Sequence, residues 1–141
     1  MKPVFVDTSA LIAMGNRRDT FHFQAVRIKN ELKQTERNLG TTSAILLEFG
    51  NAFSYSSLRP VAVKMIRAVT DSKRWKCINI DNDLFKRGFE KYKQVKDKEW
   101  GLVDCMSIIV AKDLRITEIF TTDHHFEQAG LIILLKKDNN D

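Results

Sequence analysis

Asp7 follows Val4-Phe5-Val6 and precedes Thr8-Ser9-Ala10-Leu11-Ile12. Glu48 lies within Ile45-Leu46-Leu47-Glu48-Phe49, Asp104 within Leu102-Val103-Asp104-Cys105-Met106, and Asp123 closes the run Ile119-Phe120-Thr121-Thr122. A carboxylate among core-forming residues is costly to bury unless a cation or hydrogen-bond donors compensate it. No Lys or Arg stands within three positions of any of the four acids, so local salt bridges do not supply the compensation. A divalent metal ion is the simplest single answer. Carboxylates brought close together raise one another's pKa values, and a hard cation relieves that. Mg²⁺ and Mn²⁺ take carboxylate and water oxygens, whereas Zn²⁺ favours His and Cys. The chain has neither an HExxH nor a CxxC pair, which sets zinc aside.

Each acid also has a simpler reading. Asp7 is placed to cap a helix beginning near Ala10. Asp104 sits where it would serve the positive end of its helix, and Asp123 has the position of a turn residue before His124-His125. Glu48 is harder to dismiss, because its neighbours within a helix are nearly all apolar. None of these readings explains why all four fall at corresponding topological positions.

Those positions come from the elements around them. Lys2 to Val6 reads as a short buried strand, followed by a short helix from Ala10 to about Met14. Gly15 to Arg18 is a loop, and Asp19-Thr20 opens a longer helix to about Gln34, with Phe23, Val26, Ile28 and Leu32 at roughly helical spacing. Leu39 to Thr42 is a brief strand with a Thr-Ser cap, Ser43 to Tyr55 a helix, and Pro60 to Ser72 another. Trp75 to Ile80 is a strand. Asp81 or Asn82 caps a helix carrying Phe85, Phe89 and Tyr92 on one stripe. A charged loop, Lys96 to Gly101, leads to an apolar helix from Val103 to Leu114. Glu118 to Thr122 and Leu131 to Leu135 are the last strands. Alternating short strands and helices argue for an α/β domain with a parallel sheet. In such a sheet ligands bind at the carboxyl ends of the strands. Asp7 and Asp123 both follow strands, so they share that edge. Asp104 and Glu48 join them if their helices enter from the same edge. The successive separations are 41, 56 and 19 residues, so only tertiary folding assembles the four.

Length and composition agree with a single domain over 1–135 and a polar tail over 136–141. The chain has 141 residues, 43% hydrophobic and 29% charged, an ordinary globular composition. No apolar run approaches the roughly 20 residues that span a bilayer. Met1-Lys2-Pro3 leads straight into the first strand without the apolar segment and cleavage site of a signal peptide, so a cytoplasmic location and no membrane partner are expected. Cys77 and Cys105 have no metal-binding spacing and read as buried, reduced thiols. The net charge of +5 favours a polyanionic partner. Acidic residues in a pocket within a basic surface suit a metal-dependent nuclease, with cations in the pocket and phosphates on the rim.

The residues around the acids carry a resemblance. Val4-Phe5-Val6-Asp7-Thr8-Ser9-Ala10-Leu11, then Leu47-Glu48, then Asp97-Lys98-Glu99-Trp100-Gly101-Leu102-Val103-Asp104-Cys105-Met106-Ser107, then Thr121-Thr122-Asp123-His124-His125-Phe126 occur in this order over nearly the whole chain. In these blocks the sequence resembles the PIN-domain nucleases, most closely the VapC type of bacterial toxin–antitoxin ribonuclease. The resemblance implies a three-layer α/β/α domain with a short central parallel sheet and helices on both faces. It implies that Asp7, Glu48, Asp104 and Asp123 are the catalytic acids and hold Mg²⁺, with Mn²⁺ as substitute. Thr8 or Ser9 resembles a helper beside the first Asp, and Thr121 a support for Asp123. Val103 departs from the Thr or Ser that many relatives carry before the third acid. The implied activity is metal-assisted hydrolysis of RNA phosphodiesters by the toxin of a toxin–antitoxin pair, with a homodimer and a small antitoxin protein as expected partners. Arg17, Arg18 and His125 are candidate RNA contacts. The alternative is a catalytically inactive PIN fold serving as an RNA- or protein-binding module. A response-regulator receiver wants paired acids after the first strand, and a haloacid-dehalogenase-type phosphatase wants Asp-x-Asp there; Asp7-Thr8-Ser9 has neither. A flap nuclease needs more chain to grip DNA.

Overall fold

The computed structural model describes residues 2–135; the tail expected over 136–141 lies outside them. The element order is β1 (Val4–Val6), α1 (Thr8–Gly15), α2 (His22–Gln34), β2 (Leu39–Thr42), α3 (Ser43–Ala52), α4 (Arg59–Asp71), β3 (Trp75–Ile78), α5 (Asn82–Gln94), α6 (Leu102–Asp113), β4 (Glu118–Phe120), a 3₁₀ turn (His124–Ala129) and β5 (Ile132–Ile133). All strand pairings are parallel, in the order β3-β2-β1-β4-β5.

The order dictates the layers. The chain moves from β1 to β2 to β3 in one direction, then returns to β4 and β5 on the other side of β1. Right-handed crossovers therefore put α1 to α4 on one face of the sheet and α5 with α6 on the other. The packing agrees: α1 touches α2, α3 and α4, while α5 and α6 form a hairpin of their own. Gly88 makes that hairpin close. A Cβ there would stand 2.3 Å from Cγ of Met106, so a side chain would force α5 off α6. The central strand β1 is covered on both sides, with Val4, Phe5 and Val6 fully buried, as a strand in a parallel sheet must be.

Local signals start α3 and α5 where expected, whereas α1 begins at Thr8 rather than Ala10 and α2 at His22 rather than at Asp19-Thr20. The Thr42 hydroxyl accepts from the Ile45 N–H at 3.3 Å and caps α3; the Asp81 carboxylate accepts from the Leu84 N–H at 2.8 Å and caps α5. Several boundaries differ from expectation. The helix beginning at Ser43 stops at Ala52 rather than Tyr55, β3 and β4 each end two residues before the strands expected to Ile80 and Thr122, and β5 covers only Ile132–Ile133 of the strand expected from Leu131 to Leu135. The stripe of Phe85, Phe89 and Tyr92 lies at the surface, as does Phe23, which is 84% exposed. Of the two thiols Cys105 is buried and Cys77 only partly so. Among the described residues no helix is long and apolar enough to cross a membrane.

The strand order reverses between β1 and β4, so this pair forms the switch point of the sheet, where a crevice opens outside the strand ends. Asp7 follows one of these strands and Thr121-Thr122-Asp123 the other.

Candidate active site

The Asp7 N–H donates to the Phe120 carbonyl at 3.0 Å, which carries the sheet pairing one residue past β1 and locks the two strand ends together. Side chains then cross the same gap. The Thr121 hydroxyl donates to Oδ2 of Asp7 at 2.8 Å, and its oxygen accepts from the Asp123 N–H at 3.0 Å. Ser9 Oγ lies 3.0 Å from Oδ2 of Asp7 and 2.9 Å from Thr121 Oγ1, and accepts from the Thr122 N–H at 2.9 Å. The Thr121 hydroxyl thus ties the Asp123 backbone to the Asp7 carboxylate. Asp7 stands at the helix N-terminus, yet its side chain makes no capping bond to α1. The carboxylate turns chiefly to the hydroxyls of Ser9 and Thr121.

Asp7 is only 6% exposed. Burial raises its pKa above the ordinary carboxylate value, and the bonds from Thr121, Ser9 and the backbone oppose the rise without cancelling it. Asp104 lies in the first turn of α6, where Oδ2 accepts from the Gly101 N–H at 2.9 Å. Its pKa is pushed up to about 6, first by burial and then by the negative charges of Asp7, Asp123 and Glu48, against the lowering effect of the Gly101 bond. The other three acids are therefore within electrostatic reach of Asp104. No ion pair balances Asp7, Glu48 or Asp104 among the described residues. Nor do three His, Cys, Asp or Glu side chains there close up into a ready-made ligand cage. The four carboxylates share a field without converging on one point.

Glu48 departs from the expectation of a buried acid. It is exposed on α3, and Oε1 accepts from the Thr8 hydroxyl at 2.6 Å. The apolar residues around it in sequence misled, because Ile45 and Phe49 alone turn fully inward while Leu47 is 70% exposed. Thr8 is accordingly a partner of Glu48, and Ser9 is the partner of Asp7. Asp123 caps the 3₁₀ turn, where Oδ1 accepts from the His125 N–H at 2.9 Å and lies 3.0 Å from Nδ1 of the same residue. His22 places Nδ1 2.8 Å from the Ala13 carbonyl, a structural tie. Arg17 and Arg18 are exposed on the turn after α1. The eight residues of that helix put them roughly 12 Å along it from Thr8, and no bond joins them to the acids.

One residue near the acids escaped the sequence reading. Trp100 is buried and its Nε1–H donates to the His125 carbonyl at 3.0 Å. Lys91 and Lys98 place ammonium groups 5.5 and 5.8 Å from the indole centroid. The ring joins the loop before α6, which delivers Asp104, to the turn that delivers Asp123. Its sequence signal was its place in the block from Asp97 to Ser107, which says nothing of its partner.

The PIN domain family matches residues 4–131. A search among curated proteins gives no match. Among solved structures, the crystal structure of VapC20 from Mycobacterium tuberculosis, a toxin that cleaves the sarcin–ricin loop, superposes with a TM-score of 0.79 at 25% identity, covering 92% of this chain and 96% of that one. The order of the parallel strands, the carboxylates at their switch point and the family match over nearly the whole described length lead to one assignment: the chain belongs to the PIN domain family.

Proposed function

We propose that this chain is an endoribonuclease that hydrolyses RNA phosphodiester bonds with Mg²⁺, or Mn²⁺ in its place, and acts as the toxin of a toxin–antitoxin pair in the cytoplasm. The observation that carries this reading is the group of acids at the switch point, where among the described residues no ion pair balances Asp7, Glu48 or Asp104; burial first, and then the neighbouring negative charges, push Asp104 up to about 6, in a protein of net charge +5. The likeness to an RNA-cleaving toxin adds the substrate class.

The donor set fits a hard divalent cation. Asp7, Glu48, Asp104 and Asp123 offer only oxygens, and among the described residues no cation pairs with the first three. These four acids would hold the ion. When bound, it lowers the pKa of an attacking water and offsets charge building on the phosphate and the leaving oxygen. The protein's own part is to orient. Thr121 and Ser9 fix Asp7, Thr8 fixes Glu48, the helix N-terminus fixes Asp104, and the His125 N–H fixes Asp123. Calorimetric titration with Mn²⁺ beside an RNA cleavage assay tests the reading. Saturable binding, with cleavage lost on chelation, is expected. Negligible Mn²⁺ binding would instead identify a non-catalytic RNA- or protein-binding module.

Trp100 acts in this scheme as a positioning residue. Trp100→Phe keeps the aromatic volume and removes the bond to the His125 carbonyl, which lets the Asp123 turn drift. Mn²⁺ affinity is expected to fall about tenfold with a stability loss of only about 1 kcal/mol. Unchanged Mn²⁺ affinity in this variant would leave Trp100 with packing alone.

Arg17 and Arg18, and His125 beside Asp123, supply positive or hydrogen-bonding groups for the RNA backbone. Replacing both arginines by Gln is expected to weaken RNA binding and to reduce the salt slope by about 2; an unaltered slope, read from binding at several salt concentrations, removes them. For a homodimer and a small antitoxin, the support is the apolar surface of α3, α4 and the turn between them, where Leu47, Val63 and Tyr55 are 70%, 45% and 74% exposed. Sedimentation equilibrium of the purified chain, alone and with the product of a neighbouring small gene, decides both.

A further inference from the structure

On the face of the sheet away from the α5–α6 hairpin, α1, α2 and α4 leave a cavity of about 140 Å³. Leu11, Met14, Leu32, Met65, Ala68 and Val69 line it. An apolar cavity of roughly 150 Å³ stays dry and holds a six-carbon ring, which sets the scale for an occupant. The wall is not apolar throughout. Lys29, Lys33 and Arg74 also line it, and both lysines are exposed, so they mark the opening.

Arg74 is the second observation. Its Nη2 donates to the carbonyls of Leu32 at 3.1 Å and Arg37 at 2.8 Å. Its Nε is buried and has no hydrogen-bond partner. Among the described residues no carboxylate pairs with this guanidinium. An arginine anchored by backbone carbonyls at the cavity wall, with its charge unmatched, attracts an oxyanion; the shielded Nε takes no part, since an atom closed to solvent is closed to an occupant of the cavity. An aliphatic interior next to such a group matches an amphipathic anion.

We propose that this cavity is a binding site for a short-chain aliphatic carboxylate, with the chain between α1, α2 and α4 and the carboxylate at Arg74, Lys29 and Lys33. The site lies apart from the acids and does not depend on the ribonuclease reading. Its inner wall includes Val6 and Phe120, the residues directly before Asp7 and Thr121, so an occupant touches the strand ends that carry the catalytic side.

The test uses the whole chain with ¹³C-methyl-labelled methionine, hexanoate as probe and hexanol as control. Hexanoate is expected to shift the Met14 and Met65 methyl resonances with a dissociation constant on the order of 1 mM. Hexanol should bind at least about fivefold more weakly, because it lacks the charge. Ala68→Phe should abolish the shifts; Ala68 is exposed on α4, so the larger ring closes the opening without entering the packed core. Absent shifts in the parent chain overturn the proposal, as do shifts that survive in Ala68→Phe. Equal affinity for hexanol overturns the assignment of the head group to Arg74.

Discussion

Replacing Asp7 by Asn is expected to lower metal-dependent RNA cleavage by on the order of 10³-fold or more while the protein stays folded and at least as stable as before. The carboxylate is 6% exposed and its Oδ2 already takes the Thr121 and Ser9 hydroxyls. Asn has the same shape and keeps an oxygen for those donors, so the lock between the two strand ends survives. What disappears is one negative charge in a poorly solvated position, the charge that burial makes expensive. Removing it relieves the fold and takes away a carboxylate proposed as a cation ligand. Single-turnover cleavage of a labelled RNA in Mn²⁺, run beside thermal unfolding of the same preparation, measures both effects. Turnover equal to the parent's would take Asp7 out of the mechanism; lost turnover together with a collapsed melting temperature would show only that the fold had been damaged.

Asp7 was legible in the sequence because its strand is buried on both faces, so an acid at its end has few places to go. The sheet was legible for the same reason: short apolar runs between amphipathic stretches leave little choice but parallel strands with crossovers. Glu48 shows where that reasoning stops. A helix turns 100° per residue, so an unbroken apolar run around an acid does not say which way the acid faces, and on α3 it faces outward with Leu47. Its place at the site rests on Thr8, 40 positions earlier in the chain, a contact that only tertiary structure makes. The same limit hid Trp100. Its partner is a backbone carbonyl 25 residues away, and a carbonyl has no sequence identity to recognise. Strand ends were overestimated because Thr121 and Thr122 have strand-like propensity, yet their hydrogen-bonding groups serve Asp7, Asp123 and Ser9.

Acidification from pH 7.5 to 5 is expected to stabilise the metal-free protein through Asp104, and a divalent cation is expected to cancel the effect. The folded-state pKa of Asp104, about 6, lies above its ordinary 3.8, so the fold prefers the neutral form. Its stabilising contribution is complete below 3.8 and is lost as the pH rises through 6; Asp7, also raised, acts with the same sign. The full shift corresponds to about 3 kcal/mol. Asp104 is only partly buried, so solvent screening reduces this to on the order of 1 kcal/mol; about half of it accrues by pH 5, or about 1–3 °C in melting temperature for a domain of this size. A cation at the acids favours the ionised forms and adds its own binding energy where they are charged, so saturating Mn²⁺ should raise the melting temperature more at pH 7.5 than at pH 5. Asp104→Asn isolates the contribution from the other groups that titrate in this range. In chelator, the variant should gain less than the parent on acidification and lie above it at pH 7.5. If the two proteins show the same pH dependence, Asp104 does not carry the charge that the neighbouring acids repel, and the case for a cation at this edge of the sheet loses its electrostatic ground.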